Sequence, residues 1–544
     1  MKIKKKALHL ENIYINSKCI KRKLWFIIKS NQGGENMGSL WIENTKNSTK
    51  FPKLEKDIKT EVCVIGAGLL GLTTAYYLSK NNIEVTLVEA ETEIGIKTSG
   101  NTTGKITSQH GLFYEHLIKD YGEKFAEKYL QANQHAITNI KNIIDENNIE
   151  CNFNWQDSYV YTQKEEEVEL IKNEVKAVKS LGFDAEFVTK TDLPFPVKGA
   201  IKFPKQAQFD SRKYMLGLAN QIIKQKGKIY VDTRVEDIAK DGKEYILITK
   251  DANIRAKKVV MATHYPFIDA PGFYFLKMYQ STSYGITVDT KTELFEGMYI
   301  NVADPIYSFR TAMHNGKRVL VLVGGDHKTG ETIENDNNYA MLEKKVKDLY
   351  PQSEILFRWN TEDCIGFDKI PYIGEFSIIM PNVYVGTGFK KWGITSSNVA
   401  ANIITDKILG KTNKYSNIFN SKRIKPIKNR WEMQNMIKQT VISFAFEKAN
   451  IPIGEIENIE NDNGAIININ GINVGIYKDT SGNIFTVKPV CSHLGCTLTW
   501  NNLDKTWDCP CHGSRFDYMG NNIYNPANKG LELINIEDLN RTKK

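Results

Sequence analysis

The chain has 544 residues, 41% of them hydrophobic and 25% charged, with a formal net charge of +9. That length allows two or three domains, and no run of about 18 apolar residues suggests a membrane span. Residues 1–36 carry +7 of the charge, so the other 508 residues are nearly neutral and a general nucleic-acid-binding role loses its support.

The leader 1–36 has basic flanks around the short apolar core "LWFII", too short for a secretory signal, and it lacks a twin-arginine pair. It reads either as a weak basic targeting segment or as an over-extended gene model. "QGGEN" before Met37 can be encoded by a purine-rich run resembling a ribosome-binding site. The expectation is a non-native or disordered extension, with translation starting at Met37 and the protein cytoplasmic.

Next comes "EVCVIGAGLLGLTTAYYLSKNNIEVTLVEAE", in the order strand, glycine turn, helix, strand, acid. Gly66, Gly68 and Gly71 fill the G-x-G-x-x-G pattern. The first permits the turn, the second lets backbone approach a pyrophosphate, and the third allows close helix–strand packing. The helix points its positive end at that pyrophosphate, and Glu89 is placed to accept hydrogen bonds from a ribose. An ordinary glycine turn would not need the strand, helix and acid that follow here.

Beyond Glu89 the chain does not continue as a compact run of βαβ units. "IGIKTSGNTTGKITSQHG" is a polar loop, "KIYVDTRVEDI" and "AKKVVMATHYP" read as further strands, and "VYVGTGFKKWGITSSNVAANIITDKILG" gives strand, glycine loop and helix. Over roughly residues 40–415 this order resembles the D-amino-acid oxidase/glycine oxidase superfamily of FAD enzymes. The resemblance implies flavin contacts from Ser99, Thr102, Thr103 and Lys105, and an adenine-side backbone contact from Val235. It also implies an "ATG"-like element at Ala262 and Thr263, where His264 replaces the usual glycine. A late loop at Gly388, Trp392, Gly393, Ile394 and Thr395 should approach the isoalloxazine. No second G-x-G-x-x-G sits between a strand and a helix, which argues against an NAD(P)H domain.

FAD-binding parts are expected at about 58–110, 226–265 and 355–415 within an oxidoreductase unit of 37–420. The substrate part falls at about 110–225 and 265–355, with long helices and strands such as "RVLVLVGGDHKTG". By resemblance an antiparallel sheet there roofs the flavin. Arg310 is read two ways, as a bidentate clamp on a carboxylate or as a surface ion pair. His327 is a candidate polar group near the flavin, with a structural loop histidine as the alternative. Cys364 is either a covalent flavin attachment point or a buried free cysteine.

Residues 416–430 are basic and unpatterned, a plausible linker, and an amphipathic helix follows, so 421–450 is read as linker and helix ahead of a small domain at 451–544. "CSHLGCTLTWNNLDKTWDCPCHGSRFD" then holds four of the chain's eight cysteines and two of its nine histidines. It resembles the Rieske motif, C-x-H-x(15)-C-x-x-H, with Cys491, His493, Cys509 and His512 in the ligand positions. A Rieske [2Fe–2S] centre needs two thiolates on one iron and two neutral imidazoles on the other. Zinc also accepts Cys2His2, but zinc ribbons pair C-x-x-C with C-x-x-C or H-x3-5-H, whereas here each loop offers one Cys and one His.

By the same resemblance Cys496 and Cys511 occupy the positions of a disulfide joining the cluster loops; two free buried thiols are the alternative. Pro526 would cover the cluster, and Phe516 stands where respiratory members have a tyrosine. The preceding "GAIININGINVGIYKDTSGNIFTVKPV" alternates apolar residues between the turn pairs Asn470-Gly471 and Ser481-Gly482, an all-β pattern.

The fold class is therefore α/β (α+β): a Rossmann-like FAD-binding domain with an antiparallel-sheet substrate domain, then a small all-β Rieske domain. The whole chain resembles bacterial fusions of a DadA-like flavoprotein with a Rieske domain. That resemblance implies oxidation of an amine or amino acid by FAD, with electrons leaving through the cluster to a protein or quinone-like acceptor. The alternatives are a reductase running the same path backwards, and a redox sensor without turnover.

Overall fold

A computed structural model of the chain describes residues 37–331, 338–423 and 451–535. The leader 1–36 and residues 424–450 of the linker and helix expected at 421–450 lie outside the described residues. Among the described residues no helix is long and apolar enough to cross a membrane.

The apolar run ending strand Ile58–Ile65 is buried on both faces, and so is all of Val85–Val88. Such runs suit the middle of a parallel sheet. Five parallel strands lie in the order Val383–Thr387, Asn253–Met261, Ile58–Ile65, Val85–Val88 and Lys228–Tyr230, with Tyr372–Glu375 antiparallel at the edge. Helices Leu69–Lys80 and Gly393–Ile408 pack together, and each begins just beyond the C-terminal end of a parallel strand. Their N-terminal ends therefore point to the crevice where open α/β sheets bind ligands. "KIYVDTRVEDI" breaks into two strands, Lys228–Tyr230 and Val235–Asp241. Between them the Asp232 and Thr233 N–H groups donate to the Glu91 and Glu89 carbonyls, which bends the chain along the acid's loop.

A second sheet of nine strands spans Lys105–Ile106 to Glu354–Gly366 and roofs that crevice. Its pairs are antiparallel except Asn154–Thr162 with Met298–Asn301. Strand Glu354–Gly366, placed among the FAD-binding parts by sequence, pairs with Met278–Asp289 in this sheet. The C-terminal unit is all-β. One sheet is formed by Asn463–Ile469, Ile472–Lys478 and Ile484–Val487, the other by Thr499–Asn501, Thr506–Asp508, Arg515–Asp517 and Asn522–Tyr524. Asn470 and Gly471 have φ of 52° and 85°, the left-handed pair that a two-residue hairpin requires.

Candidate functional site

The glycine turn is shaped by contacts that leave no room for side chains. A Cβ on Gly66 would stand 2.5 Å from the Ala262 carbonyl oxygen, one on Gly68 would stand 2.8 Å from Ser99 Oγ, and one on Gly71 would stand 1.8 Å from the Gly66 carbonyl oxygen. Gly71 thus serves helix–strand packing, while the other two open the backbone to the crevice. Glu89 is held by the N–H of Ala67 at 2.7 Å and of Glu91 at 3.0 Å. Burial, then the neighbouring Glu91, raise its pKa against those hydrogen bonds.

A cavity of about 520 Å³ runs from this turn to the roofing sheet. Of the residues expected to touch FAD, Gly66, Gly68, Glu89, Ser99, Thr102, Thr103, Lys105, Val235, Ala262, Thr263, Trp392, Gly393 and Ile394 line it. Gly388 and Thr395 do not. The Thr395 hydroxyl instead donates to the Thr107 carbonyl at 3.2 Å, which ties the helix to the loop beside it. His264 lines the cavity at φ 64°, with Nε2 buried and unpartnered, and burial lowers its pKa to about 4. The left-handed backbone is one that glycine adopts more readily than histidine.

Neither catalytic candidate lies in the cavity wall. Arg310 is buried, with its guanidinium spent on the Thr103, Phe209 and Thr311 carbonyls and stacked over Trp41. It is neither a clamp nor a surface ion pair. His327 is in strand Lys317–Lys328, stacked on Tyr284 outside the cavity. Cys364 is a buried free thiol in the wall.

A different group of charges also faces the cavity. Lys391 pairs with Asp326 at 2.5 Å and donates to Ser283 Oγ at 3.1 Å. Lys105 donates to the Tyr299 carbonyl and Ser308 Oγ, and burial, then Arg310, lower its pKa well below the usual lysine range. Lys390 turns its ammonium onto the Phe113 ring, 3.6 Å from the centroid. Asp363 is the exception. Its carboxylate lines the cavity with no hydrogen bond or ion pair among the described residues, and burial, opposed by Lys391, pushes its pKa to about 7. Sequence reading missed it.

In the C-terminal unit two loops meet, one at 491–496 and one at 509–514. Cys496 and Cys511 are joined in a disulfide across them. Cys509 Sγ lies close to both disulfide sulfurs, but those are spent on each other, so the thiol partner available to it is Cys491. A hydrogen bond between Cys491 and Cys509 lowers the first pKa and raises the second, as two thiols sharing one proton should behave. The rings of His493 and His512 stand 5.1 Å apart and nearly perpendicular, and Nδ1 of each is buried without a partner. Burial, then His493, lower the His512 pKa to about 3, which keeps its imidazole neutral. Two thiols and two buried Nδ1 atoms unpartnered among the described residues, carried on two facing loops, are the donor set that a Rieske [2Fe–2S] cluster requires.

The two units are clasped around Arg515. Its guanidinium pairs with Asp508 at 2.9 Å and Asp504 at 2.7 Å, and with Glu362 of the roofing sheet, all four groups being almost wholly inaccessible to solvent. Gln280 adds a second tie, its amide donating to the His512 and Gly513 carbonyls at 3.0 Å.

Residues 61–407 match the family described as FAD dependent oxidoreductase, and residues 449–535 match the Rieske [2Fe-2S] domain. The chain belongs to the FAD dependent oxidoreductase family. As a member of that family it carries FAD, and the Rieske domain adds a [2Fe–2S] cluster. The oxidoreductase is 35% identical over 490 residues to YhfW of Bacillus subtilis (strain 168), whose name describes a Rieske 2Fe-2S iron-sulfur protein; the match covers 90% of this chain and 96% of that one. It is 21% identical over 401 residues to the gamma-glutamylputrescine oxidoreductase of Escherichia coli (strain K12), covering 70% of this chain and 91% of that one. Among solved structures, the glycine oxidase of Geobacillus kaustophilus superposes with a TM-score of 0.57 at 18% identity, over 68% of this chain and 100% of that one. The L-proline dehydrogenase of P. horikoshii gives the same TM-score and identity, over 68% and 98%.

Proposed function

We propose that this oxidoreductase oxidises the C–N bond of an amine or amino acid and passes the electrons through its Rieske cluster to an external acceptor. The observation that carries the reading is Asp363, a carboxylate unpartnered among the described residues, facing a cavity in which Lys105, Lys390 and Lys391 are already engaged. A buried anion without a partner is costly, and a substrate ammonium is the partner that fits. Relatives named for glutamylputrescine, glycine and proline agree with an amino compound.

When bound, FAD takes a hydride from the carbon beside nitrogen, and the cluster carries single electrons onward. The chain's part is to hold and shape. Gly66 and Gly68 admit the pyrophosphate to the N-terminal end of helix Leu69–Lys80, and Glu89 accepts hydrogen bonds from the ribose. Asp363 docks the ammonium and accepts its proton, leaving the neutral amine that can be oxidised; water then hydrolyses the imine. Cys491 and Cys509 would hold one iron of the cluster, His493 and His512 the other. Both imidazoles pack against Phe275 of the oxidoreductase unit, so the histidine side of the cluster site faces the flavoprotein.

The test is Asp363→Asn in the full-length holo-protein. A panel of amines and amino acids should bleach the wild-type flavin anaerobically, and the variant should need at least tenfold more of the same compound. Equal response of the two proteins would remove the role assigned to Asp363.

A further inference from the structure

The FAD cavity is not closed by the flavoprotein alone. Part of its wall comes from the Rieske domain, from Ile523, Tyr524, Asn525 and Asn528. Tyr524 ends strand Asn522–Tyr524, and its ring receives the Lys97 ammonium at 5.4 Å from the centroid. Lys97 belongs to the loop that lines the cavity beyond Glu89 and lies 3.6 Å from the Glu91 carboxylate. The Tyr524 hydroxyl lies beside the Glu362 carboxylate that Arg515 grips. Asn528 donates to the Glu236 carbonyl at 3.2 Å, next to Val235 in the cavity wall.

The same segment also touches the cluster site. The Asn525 carbonyl accepts at 2.6 Å from the Gln280 amide that holds the His512 and Gly513 carbonyls. The Ala527 N–H donates at 3.0 Å to Ser514 Oγ, which in turn bonds to Cys491. The segment thus has one side on each cofactor site.

We infer that the Rieske domain supplies part of the FAD-binding site, with Tyr524 and Asn528 closing the cavity over the bound cofactor. An aromatic ring over a cavity mouth excludes water from a bound cofactor at little entropic cost, since few of its torsions need to be frozen. The inference requires only that the protein binds FAD and stands whichever way electrons flow.

The experiment titrates FAD, followed by quenching of its fluorescence, into full-length deflavinated protein that keeps its cluster, under anaerobic conditions. Tyr524→Ala should raise the FAD dissociation constant at least tenfold with the cluster EPR signal unchanged. Asn360→Ala serves as the control. It removes a 2.6 Å hydrogen bond to Asp504 that joins the two units away from the cavity, and it should leave FAD affinity within twofold of wild type. Should Tyr524→Ala not accumulate, Asn528→Ala at the partly exposed end of the segment should raise the dissociation constant at least threefold. Unchanged affinity in the segment variants, or an equal loss in Asn360→Ala, would overturn the inference and reduce the segment to ordinary domain packing.

Discussion

Nε2 of His493 stands 2.7 Å from Oδ1 of Asp269, a carboxylate contributed by the oxidoreductase unit to an imidazole of the cluster site. The contact fixes the tautomer, since Nε2 donates its hydrogen and Nδ1 is left bare towards the thiols. A carboxylate against a ligand imidazole also disfavours adding an electron nearby. Asp269→Asn should therefore raise the cluster's midpoint potential, read by EPR-monitored redox titration. An effect of about 1.4 kcal/mol would appear as a rise of about 59 mV for this one-electron couple. A potential that stays or falls would show that Asp269 serves docking alone.

Phe516 offers a second handle on the same potential. It is fully buried in the core that also contains Cys491 and Cys509. Phe516→Tyr brings a hydroxyl donor towards cluster sulfur, and such donors stabilise the reduced, more negative state. The expected outcome is a higher midpoint potential in the same titration. Loss of cluster content without a shift would instead report that the core cannot house the extra oxygen.

Arg515 should be the costliest single residue at the junction of the two units. Removing it leaves Glu362, Asp504 and Asp508 facing one another without the cation that compensates them. Breaking a buried ion pair from one side costs about 3–5 kcal/mol. Arg515→Met should lower the thermal midpoint sharply and release the C-terminal unit to limited proteolysis first. Glu362→Gln, which keeps two of the three acids on Arg515, should do so more mildly.

Asp363 makes pH a readout. Its pKa is about 7 in the fold against an ordinary 3.8, so the folded state binds the proton more tightly than the unfolded chain. Stability of the deflavinated protein should be full below about pH 4 and fall as pH rises towards 7. Catalysis should move the other way. The anion that receives the ammonium forms as pH rises through about 7, so kcat/KM should climb there. Asp363→Asn should flatten both trends in paired thermal melts and steady-state profiles.

These residues also show why some of the site can be read from sequence and some cannot. Gly66, Gly68, Gly71 and Glu89 lie within one strand–helix–strand unit, where backbone geometry dictates the spacing. The two Cys-x-His-type loops are similarly local. Asp363 gives no such signal. It sits beside Glu362 and Cys364 in "TEDCIG", and only alternation along strand Glu354–Gly366 sends Glu362 to Arg515 and Asp363 to the cavity. That assignment depends on a sheet partner some eighty residues earlier and on a domain about 150 residues later. Arg310 misled for the same reason: the carbonyls and the Trp41 ring that occupy it come from distant segments.

The most direct test of the account follows both cofactors at once in protein purified anaerobically with iron and flavin intact. Amines and amino acids are added in turn while flavin absorbance and the reduced-Rieske EPR signal are recorded together. The account predicts that an amino compound bleaches the flavin first and that the cluster signal grows afterwards. If none does so, while a reduced electron donor fills the cluster first and the flavin second, the current runs inward and the protein is a reductase.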